Sequence, residues 1–575
     1  MHSPDAATRP AEPASRHLDS VKDHAFLTDL LIEMEGRFDV NALKLDCVNI
    51  WPLVRLQLGR SFKEADPIAD AGFGEGIGSG TAEALLNDLS ARPRNRAERS
   101  LRLQEHARSA RLDPERAIRR VREDLENLCA VAGPRFAVMT KIEKYYLKRG
   151  DRHYAPILDP VIEDLAAFGR VQPVAVEPFQ IACVNEPLRI DPASFLATHS
   201  PPPLSIPAGI DRMLTEMEHF TIERWPEYPL KRKLVYSRMK RLRERKNFFR
   251  EAFQALKPEV LVVSSFTGWL HALWAAKDLA IPVVDVQHGG QGPIHFPTTH
   301  FSALPSEGYH FLPDVLWLWG ETNRRFGARW LPGPCKRHFP VVGGHRGVAR
   351  WRANRTSVKL ADIDRKFLER FDGKPNVLVT LSYAISPLMP EVLSQAVAAT
   401  PGLTWLIRLH PIHRPPAARD QLIQRLHELG CRNFFIDEPT DVQLQTALAV
   451  SRVHFTPFST AVREASAFNV PSAVVHPAGE LLFREEIATG GLSYTDTTER
   501  IVAFARAGIE CERSEEHDRD SIEIASKGLE DVIAAAELVR REAPPLQSSL
   551  GPSTPKRVGR SLLGRLAGFL ERLRA

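Results

Sequence analysis

Cysteine is scarce in this 575-residue chain, and its six cysteines stand far apart without a Cys-x-x-Cys pair. This spacing excludes a disulfide framework and a zinc knuckle, and it indicates a reducing compartment. Long apolar runs are missing as well, since no stretch approaches the roughly 18–20 residues of a transmembrane helix. The N-terminal stretch MHSPDAATRPAEPASRH lacks the apolar core of a secretory signal. We therefore expect a cytoplasmic protein, peripheral on the inner face of the cytoplasmic membrane.

A large excess of charge of one sign is also missing. Lys and Arg total 76 against 71 Asp and Glu, a formal net charge of +5, so we expect no nucleic-acid partner. The 43% hydrophobic and 26% charged residues are ordinary for a soluble globular protein. At about 150 residues per domain, the length allows roughly two to four domains.

Several catalytic motifs are absent: a P-loop, a Gly-x-Ser-x-Gly elbow, a His-Glu-x-x-His pair and the kinase set. Their absence argues against NTPases, serine hydrolases and metalloproteases. The Gly-rich stretch from Ala71 reads as a linker, because no strand precedes it. His410 and His413 lack a third ligand at convincing spacing, and Asp362 and Asp364 lie in a polar linker. We therefore expect neither a metal nor a cofactor.

Apolar segments of strand length alternate with helix-length segments along most of the chain. The first series has the strands RFAVMTKI, PEVLVVSS, IPVVDVQHGG and LPDVLWLWGE. The second series, from Asn376, has the strands NVLVTLS, LTWLIRLHP, RNFFIDEP, SRVHFTP and PSAVVHP. Uninterrupted apolar strands separated by helices predict parallel sheets covered on both faces. We predict an α/β fold with two facing Rossmann-like domains.

Composition and pattern suggest where these domains begin and end. We expect a disordered lead over 1–22 and an N-terminal Rossmann-like domain over 23–345, with a helical insertion at about 70–130. A C-terminal Rossmann-like domain should follow over 346–545. A Pro/Ser-rich linker and a basic amphipathic helix should complete the chain over 546–575.

Two basic segments are candidates for an anionic partner. The run KRKLVYSRMKRLRERKNFFR, residues 231–250, predicts a solvated helix packed on its domain or one attracted to anionic lipid or a polyanionic acceptor. In the tail, residues 556–575, leucines and Phe569 share one helical face while the arginines lie mostly elsewhere. This pattern predicts either an interfacial helix on an anionic membrane or a helix docked on the protein.

Polar residues collect where the predicted strands end, which is where open α/β sheets bind ligands. Ser459 and Thr460 follow a strand and open a helix, so free amides there would suit a diphosphate; an ordinary helix cap explains the same hydroxyls. Glu464 lies about one turn further, within reach of a ribose or merely solvated. His288 stands in a Gln-His-Gly-Gly turn that a ligand could approach closely.

The remaining candidate contacts belong to the same strand ends. They are Gln287, Gly289, Gly290, Ser382, Arg408 and His410. Phosphate or substrate contacts from Arg408, His410 and Arg414 suit these residue types better than zinc ligation does.

The runs IPVVDVQHGGQGPIHF, GYHFLPDVLWLWGE, IRLHPIH and TPFSTAVREASAFNVPSAVVHP together resemble bacterial GT-B glycosyltransferases of capsule and lipopolysaccharide synthesis. The chain is more distantly similar to teichoic-acid glycerophosphotransferases. The resemblance covers about Pro258 to Gly491; WPLVR at Trp51 is suggestive only.

The resemblance implies transfer of a sugar from a nucleotide-sugar donor to a glycan or lipid-linked acceptor. It also implies that the domain over 23–345 binds the acceptor and the domain over 346–545 binds the nucleotide donor. It implies that Ser459 and Thr460 hold the diphosphate, with His410 beside the phosphate and Glu464 on the ribose. His288 would then be a base or leaving-group contact in the cleft. No acidic base is evident, because Asp285 lies inside a strand and Glu307 in a loop, so the stereochemistry stays open. The alternatives are a polyol-phosphate transferase on this scaffold and a non-catalytic assembly or export protein.

Overall fold

The structure is a computed structural model of the whole chain, and parts of it are described here. The described residues are 19–64, 113–141, 147–176, 181–200, 203–226, 229–289, 297–302, 304–331, 335–353, 361–382, 388–410, 416–511, 522–523, 527–543, 546 and 554–555.

Two parallel sheets form the centre of the fold. The first sheet has seven strands, in spatial order β12 (Phe339–Val342), β11 (Val315–Leu318), β10 (Val283–Val286), β9 (Val260–Ser264), β3 (Phe136–Thr140), β6 (Val171–Ala175) and β7 (Leu188–Arg189). The second sheet has six strands, in spatial order β15 (Phe434–Phe435), β14 (Thr404–Arg408), β13 (Asn376–Thr380), β16 (Ser451–Thr456), β17 (Ser472–Val474) and β18 (Ser493–Tyr494).

Three short antiparallel pairs accompany the sheets. They are β1 (Lys44–Leu45) with β2 (Val48–Asn49), β4 (Leu147–Arg149) with β5 (Arg152–Tyr154), and β8 (His199–Ser200) with β19 (Thr554–Pro555).

Twenty α-helices surround the sheets in the described residues. They are α1 (Asp19–Arg37), α2 (Trp51–Glu64), α3 (Pro114–Ala130), α4 (Leu158–Leu165), α5 (Pro192–Thr198), α6 (Ala208–Arg224), α7 (Arg232–Leu256), α8 (Leu270–Asp278), α9 (Glu321–Trp330), α10 (Arg346–Ala353), α11 (Asp362–Phe371), α12 (Glu391–Ala399), α13 (Pro416–Glu428), α14 (Asp437–Asp441), α15 (Leu444–Val450), α16 (Ala461–Ala467), α17 (Pro477–Leu482), α18 (Arg484–Ala488), α19 (Thr498–Glu510) and α20 (Lys527–Glu542). Short 3₁₀ turns lie at Val40–Ala42 and Phe266–Gly268.

Continuous apolar strands form because both faces of each sheet are covered. In β9, Leu261 and Val263 belong to one core cluster, whereas Val260 and Val262 belong to the cluster on the opposite face. Successive side chains of a strand point to opposite faces, so both sets must be apolar when helices pack on each side. Every strand pairing within the two large sheets is parallel. The predicted pair of Rossmann-like α/β domains is confirmed.

The assignment of 346–545 to the C-terminal domain is wrong at both ends. Helix α20 places Leu529, Val532 and Ile533 in the core under the first sheet. Helix α10 packs on α4, and Arg346 pairs with Asp164 there. The chain therefore returns to the first domain, because the apolar stripe of α20 covers strands β11 and β12.

The stretch predicted as a linker after residue 545 docks on the first domain at two points. Leu546 is buried; its amide donates to the carbonyl of Lys277 (3.1 Å), and its carbonyl lies 2.9 Å from Nε2 of His310. Further on, Thr554–Pro555 pairs with His199–Ser200. The predicted amphipathic helix over 556–575 lies outside the described residues.

The basic run at 231–250 lies in α7, and much of its charge is buried. Arg243 pairs with Asp46 (2.8 Å) and Lys246 with Asp278, and both cations are almost fully inaccessible to solvent. Buried cations of this kind require a paired carboxylate. The helix is therefore largely a structural element, with its apolar and several of its charged side chains in the core of the first domain.

At the N-terminus, α1 begins at Asp19, inside the stretch predicted to be disordered, while residues 1–18 lie outside the described residues. Of the predicted helical insertion, α3 is described and is helical. Among the described helices, none combines the length and apolar composition that a membrane span requires.

Candidate functional site

Two strand-end turns, one from each sheet, meet between the domains. The turn after β10 carries His288 and Gly289, and the turn after β16 carries Ser459 and Thr460. A methyl group placed on Gly289 would lie 3.9 Å from Oγ1 of Thr460. The side chain of His288 is exposed beside this contact. Gly290 lies outside the described residues. The predicted catalytic residue is thus brought next to the predicted diphosphate residues.

Gln287 shapes the first turn from inside the protein. Its side chain is buried; Nε2 donates to the carbonyl of Gly289 (3.0 Å), and Oε1 accepts the amide of Trp319 (2.8 Å). A buried amide that uses both its donor and its acceptor is a structural tie. Gln287, expected to contact substrate, instead holds the His288 turn against the end of β11.

Hydroxyl groups shape the second turn. The amide of Phe458 donates to Oγ of Ser382 (3.2 Å), that of Ser459 to Oγ1 of Thr456 (3.1 Å), and that of Ala461 to Oγ of Ser459 (3.3 Å). The expectation of free amides at this helix mouth is therefore wrong, because side-chain oxygens already accept these protons. A diphosphate would meet hydroxyl groups and the amide of Thr460, which has no acceptor among the described residues.

A buried histidine braces the strands behind this turn. Nε2 of His454 lies 2.8 Å from Oγ1 of Thr380, and Nδ1 lies 3.0 Å from Oγ of Ser472. The hydroxyl of Ser472 donates to the carbonyl of Val470 (3.2 Å), so Nδ1 carries the ring proton and Thr380 donates to Nε2. Burial lowers the pKa of His454 to about 3. The ring is therefore neutral and structural.

Glu464 is mostly buried and contacts residues of both domains. Its Oε1 accepts Nε2 of Gln445 (3.1 Å) and lies 3.4 Å from Nε2 of His345. The ring of His345 packs on Trp319, with centroids 4.5 Å apart. Our sequence analysis missed His345; its one signal was the Gly-Gly-His sequence at a strand end. Glu464 is thus not a solvated helix residue.

Arg408 and His410 end the neighbouring strand, β14. Nη1 of Arg408 donates to the carbonyls of Pro439 and Val442, the latter at 2.7 Å. These contacts place Arg408 in support of α14, whose carbonyls it satisfies, rather than at an open phosphate site. His410 follows on the same strand end and is half-buried.

The two carboxylates of the N-terminal half that were considered as a base, Asp285 and Glu307, are engaged elsewhere. Oδ1 of Asp285, inside β10, accepts the amide of Phe266 (3.0 Å), and Glu307 pairs with Lys44 (3.2 Å). The identity of a general base therefore stays open. Within the described residues, no group of three or more His, Cys, Asp or Glu side chains is arranged to hold a metal ion.

Contacts next to the site join the two domains. The rings of Trp351 and Phe468 meet edge to face with centroids 5.0 Å apart, and Arg352 donates to the carbonyl of Ala467. Trp319, Val348, Ala467 and Ile522 form one buried apolar cluster there. Residues of α10 and residues at the end of α16 therefore pack against each other across the domain boundary.

No protein-family model and no curated protein sequence matches the chain significantly. Among solved structures, it is similar to UDP-GlcNAc 2-epimerase from Methanocaldococcus jannaschii, with 13% identity, a TM-score of 0.41, and coverage of 70% of this chain and 99% of that chain. The Neisseria meningitidis UDP-GlcNAc 2-epimerase bound to UDP-GlcNAc is 13% identical, with a TM-score of 0.42 and coverage of 70% of this chain and 99% of that chain. The glycotransferase of kitacinnamycin is 13% identical, with a TM-score of 0.36 and coverage of 77% of this chain and 99% of that chain. At such identities and TM-scores, only this chain's own residues bear on its function.

Proposed function

We propose that this protein is a GT-B glycosyltransferase that moves a sugar from a nucleotide-sugar donor to a glycan or lipid-linked acceptor in bacterial surface-polysaccharide synthesis. The observation that supports it most is the meeting of the Gly289 and Thr460 turns, one from each parallel sheet. A ligand at the carboxyl ends of both sheets would touch both turns at once.

Each group near the junction has a chemical task in this proposal. The hydroxyls of Ser459 and Thr460 donate to the donor diphosphate, and the carboxylate of Glu464 accepts ribose hydroxyls. The exposed imidazole of His288 takes the acceptor proton or contacts the leaving phosphate. Packing of the two domains around the junction keeps water from the activated sugar.

The membrane part of the proposal concerns the tail. We place the protein in the cytoplasm, peripheral on the inner face of the cytoplasmic membrane, with residues 556–575 on anionic lipid. The basic and apolar faces of that segment support this placement. Membrane association would bring the active site to a lipid-linked acceptor.

Donor binding and turnover test the proposal directly. We expect a UDP- or other nucleotide-sugar to raise the unfolding temperature, since a ligand bound only by the native state stabilises it. His288→Ala should lower turnover by about 10²–10⁴-fold, and Glu464→Gln should weaken nucleotide binding about tenfold or more. His219→Ala, at an exposed position on α6, is the matched control.

The outcomes separate the alternatives. Turnover of a CDP-polyol with the corresponding product mass would replace the sugar transferase by a polyol-phosphate transferase. A folded wild-type protein that turns over neither class of donor would indicate a non-catalytic assembly or export protein.

A further inference from the structure

A second polar edge lies on the first sheet beside the His288 turn. Strand β3 pairs with β9, with Val138 opposite Val262, and β9 pairs with β10, with Ser264 opposite Val286. Lys141 directly follows β3, and the His288 turn directly follows β10. Because β9 lies between these strands, Lys141 is two strands away from the His288 turn. Adjacent strands lie about 4.8 Å apart, so the two sites are about 10 Å apart.

The ammonium of Lys141 is held in one place at this edge. Its Nζ lies 4.9 Å from the ring centroid of Trp269 and 3.0 Å from the position that a methyl group on Gly268 would occupy. Within the described part of the chain, no carboxylate pairs with Lys141. A cation over an aromatic face and without a carboxylate can accept an anionic ligand.

The surroundings of Lys141 add positive potential. His271 is buried behind Trp269, with nearly parallel rings 6.3 Å apart. Burial, together with the charges of Arg245 and Lys141, holds the pKa of His271 well below its ordinary value. The imidazole is therefore neutral, and the positive charges that act on it are those of Arg245 and Lys141.

Backbone strain and unsatisfied hydroxyls mark the same edge. Ser265 adopts a left-handed conformation (φ 60°) and opens the turn Phe266–Gly268 that leads into α8. The hydroxyls of Thr140 and Ser264, at the ends of β3 and β9, are buried and have no hydrogen-bond partner among the described residues. Buried hydroxyl groups without a partner are unfavourable, and strained residues cluster where ligands bind.

We propose that the edge formed by Lys141, Ser265, Gly268 and Trp269 binds a phosphate or pyrophosphate group of the acceptor substrate. Its assignment to the acceptor rests on the proposed function, whereas the binding of a phosphate anion does not. An acceptor phosphate held about 10 Å from His288 would leave room for one sugar-sized group between the two sites. The anion could belong to a lipid-linked or a soluble acceptor.

The test is calorimetric titration of the full chain with inorganic pyrophosphate and, separately, farnesyl pyrophosphate, both in saturating UDP. Lys141→Gln should weaken binding of both probes at least tenfold. Gly268→Ala should weaken it as well, because its methyl group displaces the ammonium without changing the charge. Lys366→Gln, at an exposed position on α11, makes the same charge change away from the edge and should bind as wild type.

The results show whether the phosphate group belongs to a lipid-linked or a soluble acceptor, and they separate failure of this proposal from failure of the proposed function. Tighter binding of farnesyl pyrophosphate indicates a lipid-linked acceptor, and equal binding indicates a soluble one. Pyrophosphate affinity unchanged in Lys141→Gln overturns the proposal, as does a wild-type protein that binds neither probe. If neither UDP nor another nucleotide of a sugar donor binds, the donor site of the proposed function fails, and the same variants titrated without a nucleotide still report on the edge.

Discussion

At the scale of single residues, His345 and Glu464 form a contact between the two domains at the candidate site. The amide of Val348 donates to Nδ1 of His345 (3.2 Å), so in the neutral ring the proton sits on Nε2. That nitrogen lies 3.4 Å from Oε1 of Glu464. One ring nitrogen thus accepts an amide of the first turn of α10, while the other lies against the proposed ribose carboxylate.

We predict that His345→Ala weakens binding of UDP about tenfold, because the carboxylate of Glu464 loses the polar ring nitrogen that lies against it. His345→Gln, which retains an N–H donor, should recover most of the affinity. Calorimetric titration with UDP measures both, with His219→Ala as the control. Wild-type affinity in a folded His345→Ala protein would show that the pair serves only packing.

At the scale of elements, strands β13, β16 and β17 are tied together by His454 behind the hydroxyl-rich turn. Its neutral ring joins the hydroxyls of Thr380 and Ser472. The Thr456 hydroxyl in turn donates to the Thr380 carbonyl (2.6 Å) and accepts the amide of Ser459. The position of the candidate diphosphate turn therefore depends on a buried polar network across three strands.

This network predicts a pH dependence of stability. The folded pKa of His454 is about 3, against about 6.5 in an unfolded chain. Below about pH 6.5 the unfolded state takes up a proton that the folded state does not. His454 therefore lowers the free energy of unfolding by up to about 1.4 kcal/mol per pH unit as the pH falls.

His454→Asn removes this titration while keeping a hydrogen-bonding side chain. We expect urea unfolding between about pH 7 and about pH 5 to show a mean slope smaller by about 1 kcal/mol per pH unit than in the wild type. The slope is the readout, because the cavity left by the smaller side chain shifts both ends of the range alike. An unchanged slope would contradict a neutral buried His454.

At the scale of the whole molecule, the chain crosses between the two domains and then returns. Helix α20 covers the first sheet, and Leu546 and Thr554–Pro555 dock on the first domain. The tail after residue 555 therefore starts from the first domain rather than from the second.

Deleting residues 556–575 tests the membrane contact while leaving every docked residue in place. We expect the truncated protein to lose co-sedimentation with anionic liposomes while keeping its unfolding temperature and its UDP affinity. Neutral liposomes are the control, because the basic face requires anionic lipid. Undiminished binding to anionic liposomes would refute a membrane role for the tail.

The strands were predictable where an apolar run was long. FAVMT, VLVVS and NVLVT each form a five-residue strand that is wholly buried. RNFFIDEP was only partly predictable: the strand is Phe434–Phe435, and Asp437–Asp441 is helical. Similarly, GELLFREEIATG divides into two short helices, α17 and α18. Short runs are decided by packing rather than by their own composition.

The amino-acid order alone determined the fold class, because a strand that is buried on both faces is a continuous apolar run, and such a run is visible in the sequence. It also located the polar strand ends, among them His288 and Ser459, and Glu464 about one helical turn further. Tertiary structure decided which of these residues lie close together. It also decided that Gln287 hydrogen-bonds to the backbone of Gly289 and Trp319, and that His345 lies against Glu464. Such pairings depend on how two sheets are placed against each other, and local sequence carries no record of that placement.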